Sequence, residues 1–370
     1  MRLIFVTPTD IADPQGGRAM LARLHRDALQ ALLGDDLREY RVTGTAGMLA
    51  SLAGQVDGAT PAQAEAIVAA IDAHGADALW LDGSNLGHIA RAVSRARPNV
   101  RIVTFFHNVE ARFFWGAMRA RRSLKSVAVL AANWLAERMA VRRSDVLVTL
   151  SDRDSAGLRR LYGRGADTVA PMVLEDRAPP APAPAPPHDP AHAPAVSGGY
   201  LLFVGGGFYA NIAGIRWFAQ QVAPRIALPV KVIGRAMDEL AGEFAPTDNG
   251  TDNAAGNVEL IGAVDDLAPW YAGATLVIAP IFDGSGMKTK VAEALMHGKR
   301  IAATPEALSG YADDVVAASW CCADADAFVR AVAEAAAAPP LPYDPAMRAL
   351  YERDHSPAAG AARLARIMAR

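Results

Sequence analysis

Near its middle the chain runs "RAPPAPAPAPPHDPAHAPAVSGG", residues 177–199. Proline recurs there too often for a helix or a sheet ladder, and the Pro/Ala alternation favours an extended, semi-rigid spacer. A 370-residue chain divided at that point gives two pieces of ordinary domain size. Both pieces carry the same rhythm. The first has β-rich runs "LIFVT" at 3, "LREYRV" near 37, "ALWLD" at 78, "VRIVTFF" at 100 and "DVLVTLS" at 145. The second has "YLLFVGG" at 200, "PVKVIG" at 229, "NVELIG" at 257, "ATLVIAP" at 274 and "KRIAAT" at 299. Between them lie stretches with helical periodicity, such as Gly17 to Leu33 and Pro61 to His74. Strands alternating with helices predict an α/β chain of two Rossmann-like domains, each a parallel sheet covered on both faces. The expected organisation is 1–176, a linker at 177–199, 200–342, and a helical segment 343–370 with breaks at Pro345 and Pro357 that packs back across the N-terminal domain.

Composition narrows the function classes. With 37 basic against 39 acidic residues the chain is nearly neutral, so nucleic acid is not expected as a partner, because phosphate binding on that scale wants a strongly basic domain. The only cysteines are the neighbours Cys321 and Cys322. They form neither a disulfide framework nor a metal-ligand spacing and fit a reduced, cytoplasmic protein. The opening "MRLIFVTPTD" is too short in apolar run for a signal peptide. The stretch "SVAVLAANWLAERMAV" is interrupted by Asn133, Glu137 and Arg138 before it could span a bilayer.

Ligands of open α/β sheets bind where strands hand over to helices. At the first such junction, "VTPTDIADPQGGRAML", Gly16 and Gly17 precede a helix and let backbone approach a bound group, or simply make a turn. At "VTFFHNVEARFFWG", His107 ends a buried strand and is followed by polar Asn108 and Glu110, which marks a site or a satisfied core histidine. At "LLFVGGGFYANIAGI", Gly205, Gly207 and Ala210 match a dinucleotide-type glycine loop. The next strand ends in Gly234 and Arg235 rather than in the acid such a site uses for ribose.

The most informative junction is "IAPIFDGSGMKTKVAEALMHG", where a strand ending at Pro280 meets a helix expected from about Met287. Lys288 and Lys290 make either a solvated helix start or an anion site; lysines at a helix N-terminus oppose the macrodipole unless an anion offsets them, and a diphosphate would be such an anion. Glu293 lies near enough to that mouth to accept hydrogen bonds from a sugar hydroxyl. The acid pairs Asp152/Asp154 and Asp324/Asp326 each stand at a helix start and read as caps rather than metal ligands.

On these residues the chain resembles the GT-B glycosyltransferases of the large retaining family 4, in particular members that assemble polysaccharides. The likeness is strongest over Asn257 to Thr304, including the "EALxxGK" step at Glu293, and extends to "FVGGGFYANIAGIRWF" and "FFHNVE". It implies two Rossmann-like domains facing across a cleft, with Glu293 on the donor's ribose and His107 against the transferred sugar. Gly16 and Gly17 would lie against the diphosphate. Ser285, Gly286 and Met287 would meet sugar hydroxyls and phosphate, and Arg235 and Gly262 to Val264 would flank the base. The family's Glu-x7-Glu motif is incomplete, because the position eight before Glu293 is Ser285. The family's usual Arg and Lys after the first strand of the second domain fall at Gly206 and Asn211. Lys288 is then the expected main phosphate ligand, with Arg235 as a second, and Lys290, Gly205 and Asn211 are also expected on the donor side.

The implied activity is a hexosyltransferase-type, retaining, metal-independent transfer from a UDP- or GDP-sugar to a glycan or lipid-linked hydroxyl acceptor, without a resident cofactor. A nucleotide-sugar epimerase, an NADP-linked oxidoreductase and an inactive sugar-nucleotide-binding homologue stand as alternatives. Residues 112–143 carry eight Lys/Arg against one Glu, with Phe113, Phe114 and Trp115 at one end. They read as a basic amphipathic segment that lies on an anionic membrane or as a solvated helix face.

Overall fold

The structure, a computed structural model, describes residues 1–370 apart from 15, 45–46, 121–122, 179–198, 238–239, 241–256, 285, 340 and 370. Most of the expected linker at 177–199, and Ser285, therefore lie outside the described residues. The chain divides into two compact units. The first comprises Met1–Glu175, Ser285–Met287 and Ser356–Arg370; the second comprises Asp176–Gly284 and Lys288–His355.

In the first unit six parallel strands, β1 (Leu3–Thr7), β2 (Leu37–Arg41), β3 (Ala78–Asp82), β4 (Arg101–Phe106), β5 (Val146–Thr149) and β6 (Thr168–Val169), lie in the order β2-β1-β3-β4-β5-β6. β1 and β3 are buried along their whole length, which is why they read as unbroken apolar runs rather than as alternating ones. Local signals set the helices. Pro61–His74 starts where Thr60 accepts from the Gln63 N–H with Pro61 in the first turn, and it stops where Gly75 turns left-handed at φ 62°. Residues 112–143 are not one segment. A helix Glu110–Ala120 is followed by a second, Leu124–Arg143, because Ser123 and Ser126 form a reciprocal capping box that restarts the chain.

The second unit holds β7 (Tyr200–Val204), β8 (Val230–Ile233), β9 (Val258–Gly262), β10 (Ala274–Ala279), β11 (Ile301–Ala303) and β12 (Trp320–Cys321), in the order β12-β11-β10-β7-β8-β9. All pairings in both sheets are parallel. In each sheet the order reverses once, between β1 and β3 and between β7 and β10, and such switch points open a crevice at the carboxyl ends of the strands.

The final run divides. Pro345–Asp354, capped by Asp344 accepting from the Ala346 N–H, belongs to the second unit. Pro357–Ala369 belongs to the first, where Arg101 Nη2 donates to the Ile367 carbonyl at 3.1 Å and Gly360 abuts Val173. Helix Gly87–Ala96 packs closely on Leu124–Arg143, and a Cβ at Gly87 would stand 1.9 Å from the Ala136 carbonyl oxygen. Gly87→Ala is therefore expected to force these helices apart and destabilise the first unit by about 1–3 kcal/mol, read as a lowered thermal transition; an unchanged transition would count against this packing.

Candidate functional site

The first switch point gathers residues from the ends of β3 and β4 and from the helix that follows β1. The β3–β4 register pairs Asp82 with Phe105, which brings His107, two residues on, beside the carboxylate that closes β3. His107 Nε2 lies 3.1 Å from Asp82 Oδ2. From the helix Gly16–Leu33, His25 Nδ1 stands 3.6 Å from Asp82 Oδ1, and its ring packs edge-on against Phe105 at 4.4 Å. Asp82 is fully buried. Burial alone would push its carboxyl up, but the facing His107 and His25 outweigh it and hold the group well below the usual carboxylate range. Burial lowers His107, against the pull of Asp82. A neutral imidazole donating from Nε2 leaves Nδ1 as an acceptor.

Behind this lies a second buried acid. Glu137, 0% exposed, accepts the Glu110 and Ala111 N–H groups at 2.8 and 3.2 Å, the Tyr162 hydroxyl at 2.6 Å and the Ser84 hydroxyl at 3.2 Å. A carboxylate at a helix start satisfies orphan N–H groups and suits the macrodipole, so Glu137 anchors helix Glu110–Ala120 and with it Glu110. Burial raises the Glu110 carboxyl to about 7, with Arg18 pulling against and Glu137 and Asp57 adding to the rise.

The second switch point holds the lysines. Lys288 is the N-cap of helix Thr289–Met296 rather than a helical residue, since the helix starts later than the expected Met287. Its ammonium pairs with Glu306 Oε1 at 3.3 Å, and its carbonyl accepts from the Tyr311 hydroxyl. Two N–H groups of the first turn are already used, Val291 by the Lys288 carbonyl and Ala292 by the Tyr311 hydroxyl. Lys290, 7% exposed, sends Nζ to Asn211 Oδ1 at 3.0 Å and over the Phe203 ring at 5.3 Å, while Asn211 Nδ2 donates to the Gly206 carbonyl at 2.7 Å. Burial lowers Lys290 to about 8, with Glu293 opposing and Lys288 assisting. Glu293, raised by burial, is held down in turn by Lys290, Arg177 and Tyr271.

The remaining expected residues fall as follows. Gly16 takes φ +82° and, with Gly17, is exposed at the helix start. Gly205 and Gly207 spend their N–H groups on the Ile233 and Arg235 carbonyls, and Gly234 spends its own on Gly262. A Cβ at Gly234 would lie 1.9 Å from the Gly205 oxygen, so these glycines let loops stack and leave their three N–H groups unavailable to a ligand. Arg235 is exposed; Val264 and Asn108 are half-buried, and the Asn108 Oδ1 lacks a hydrogen-bond partner among the described residues. Gly286 is half-buried and Met287 buried, both grouped with the first unit. Lys299, in the "GK" step, is structural: its Nζ binds the Ala272 and Ala274 carbonyls at 3.1 and 2.8 Å. Ser151 and Asp324 cap helices, accepting from the Asp154 and Ala327 N–H groups.

Sequence reasoning missed Asp82, His25, Glu137 and Arg18. The signal for Asp82 was an acid closing an otherwise apolar strand; His25 in mid-helix offered none.

Residues 198–337 match the family model described as glycosyl transferases group 1. The sequence matches no curated protein. Among solved structures the chain is similar to HepE from Anabaena in complex with UDP-glucose, at 14% identity and a TM-score of 0.61 over 100% of this chain and 99% of that one. It is similar to a glycosyltransferase from Rickettsia africae, at 11% identity and a TM-score of 0.63 over 99% and 97%. It is also similar to WaaG, a glycosyltransferase involved in lipopolysaccharide biosynthesis, at 14% identity and a TM-score of 0.58 over 98% and 99%. At these identities the likeness is one of fold.

Glu110 also yields a stability prediction. The native carboxyl titrates at about 7 against 4.5 for the ordinary group, so the native state holds the proton longer than the unfolded chain does. Stability should fall as pH rises from about 4.5 to about 7, by roughly 3 kcal/mol in all. Glu110→Gln should melt with the wild type at pH 4 and above it at pH 8; parallel pH profiles would refute the shift.

Proposed function

We propose, from the match of residues 198–337 to the group 1 glycosyl transferases and the likeness in fold to solved glycosyltransferases, that this chain moves a sugar from a nucleoside diphosphate donor to a hydroxyl acceptor with retention of anomeric configuration. One constellation carries the reading: Glu293, Lys290 and Asn211, brought together at the switch point of the second sheet. A buried ammonium three residues before an acid on the same helix face offers a cation to phosphate and a carboxylate to ribose hydroxyls. Lys288, engaged with Glu306, serves that site less directly than its place in the sequence suggested.

In the reaction the acceptor oxygen bonds to the anomeric carbon as the bond to the leaving phosphate oxygen breaks. The acceptor proton passes to that phosphate oxygen on the same face. The developing diphosphate charge is met by the Lys290 ammonium and by the N-terminus of helix Thr289–Met296, so protein groups rather than a metal supply the electrostatic stabilisation. His107, oriented by Asp82, presents Nδ1 to a hydroxyl of the transferred sugar. The loops at Gly16/Gly17, Gly286/Met287, Arg235 and Val264 complete the donor contacts, and Asn108 and Glu110 serve the acceptor. The use of Gly205 and Gly207 N–H groups within the protein weighs against an NADP-linked oxidoreductase.

The acceptor proposed is a glycan or lipid-linked precursor of polysaccharide, in keeping with what the name of WaaG says of that protein, and the donor base is uracil or guanine. No helix among the described residues is long and apolar enough to cross a membrane. Trp115, Leu124, Val127 and Trp134 are exposed on the two helices of 110–143, which also carry Arg112, Arg119, Lys125 and Arg138. This face would rest on an anionic leaflet from the cytoplasmic side.

Calorimetric titration tests the donor site. UDP or GDP should bind the wild type in preference to NADPH. Glu293→Ala and Lys290→Met should each weaken binding about tenfold or more, and Lys288→Met should weaken it less. A wild type that binds neither diphosphate, or variants that bind as well as it does, would refute the assignment. Flotation with phosphatidylglycerol vesicles at low salt tests the surface: the wild type should float, and replacing Trp115 and Leu124 by Ser should abolish flotation.

A further inference from the structure

The helix that carries Lys290 and Glu293 starts without a cap of its own. Its N-cap residue is Lys288, a side chain with donors but no acceptor, and it makes no capping hydrogen bond. The acceptor comes from another part of the second unit. The Tyr311 hydroxyl takes the Ala292 N–H at 3.0 Å and gives its own proton to the Lys288 carbonyl at 2.7 Å. Burial pushes the phenol up, so that proton is kept. The carbonyl and the N–H that Tyr311 joins are the two groups that pair directly in the first i→i+4 bond of an unassisted helix. Thr60 and Ala64 pair in that way at 3.0 Å, and Asp344 and Arg348 at 3.2 Å. The Lys288 carbonyl instead takes the Val291 N–H, three residues on, at 3.1 Å, and the phenol bridges the rest of the turn as a wedge.

The wedge is itself held in place. The Tyr311 ring is buried and packs against the His355 ring at 5.2 Å. The segment that leads to it from the end of β11 grips the donor loop twice more. Thr304 Oγ1 donates to the Ile281 carbonyl while accepting the Ala307 N–H, and Glu306 takes the Lys288 ammonium at 3.3 Å. The opening of the first turn is therefore set by residues after β11 rather than by the helix alone. Lys290 lies within that turn, and its Nζ reaches Asn211 Oδ1 at 3.0 Å. Groups of a binding site have to be held to about 0.5 Å, and closing the turn onto a direct bond would move the backbone that carries this ammonium. We infer that Tyr311 is a positioning residue for the donor site: its hydroxyl, wedged between the Lys288 carbonyl and the Ala292 N–H, sets the turn that aims the Lys290 ammonium at the diphosphate. This rests on the transferase reading above.

Calorimetric titration of the full chain with UDP and GDP tests the role in the wild type, Tyr311→Phe, Lys290→Met and the double variant. Tyr311→Phe should weaken diphosphate binding about fivefold. Its melting transition should stay close to that of the wild type, because the Lys288 carbonyl and the Ala292 N–H can then close on each other. In the Lys290→Met background the same substitution should change Kd by less than about twofold, since the group it acts through is gone. A hydroxyl with a merely structural part gives the opposite pattern, a lowered transition with Kd unchanged. Should Tyr311→Phe not fold, Thr304→Val, which releases the Ile281 carbonyl and loosens the segment that carries Tyr311, should weaken binding with the same dependence on Lys290. An unchanged Kd, or a loss equally large with and without Lys290, in a protein that binds the diphosphates, would overturn the positioning role and leave the transferase reading standing. A wild type that binds neither diphosphate would overturn both.

Discussion

The first unit's chemistry hangs on the Glu137 carboxylate. It is completely enclosed, and it ties its own helix to the start of helix Glu110–Ala120, to Ser84 just beyond β3 and to Tyr162 at the end of helix Asp152–Tyr162. Burying an acid is unfavourable, and burial does raise its titration point; four hydrogen bonds offset that cost. Because two of the four come from the backbone at the helix start, the position of Glu110 follows from Glu137 rather than from any contact of its own side chain. The result is a pair of neighbouring acids in which one is fully satisfied and the other is left responsive to pH and to Arg18.

The second unit solves a different problem, that of holding a cation in a dry place. Lys290 is stabilised by an amide oxygen, an aromatic face and a nearby acid. None of these neutralises it as closely as Glu306 neutralises Lys288. An ammonium partnered mainly by neutral groups keeps its field available to an incoming anion. Asn211 has a double part, since the same carboxamide that accepts from Lys290 donates to Gly206. The loop that lacks a cation of its own is thereby joined to the helix that has one.

Much of this was legible in the sequence, for reasons that individual residues make plain. Parallel strands buried on both faces spell themselves out as "LIFVT" or "ALWLD", whereas β6 and β12, two residues each at the sheet edges, carry no comparable run. Strand order left no trace in the periodicity, so the partnership of Asp82 with His107 became visible only with the register. The relative weight of the two lysines turned on helix phase. Lys290 and Glu293 are three residues apart and share a face, while Lys288 stands outside the helix as its cap. That spacing was available beforehand, but only if the helix start had been set two residues later. Arg18 was hidden by its neighbours, because Gly16 and Gly17 drew attention to backbone where a side chain carried the charge.

The helix Pro357–Ala369 belongs to the first unit although the whole of the second unit lies between it and Glu175 in the sequence. During synthesis the residues that build the first sheet leave the ribosome long before the helix that completes their packing. Val173 and Arg101 must wait for Gly360 and Ile367. The first unit can therefore collapse early but cannot finish, and its closing step comes after the second unit has had the opportunity to fold. Vectorial synthesis thus reverses the order that the numbering suggests: the domain begun first is the one completed last.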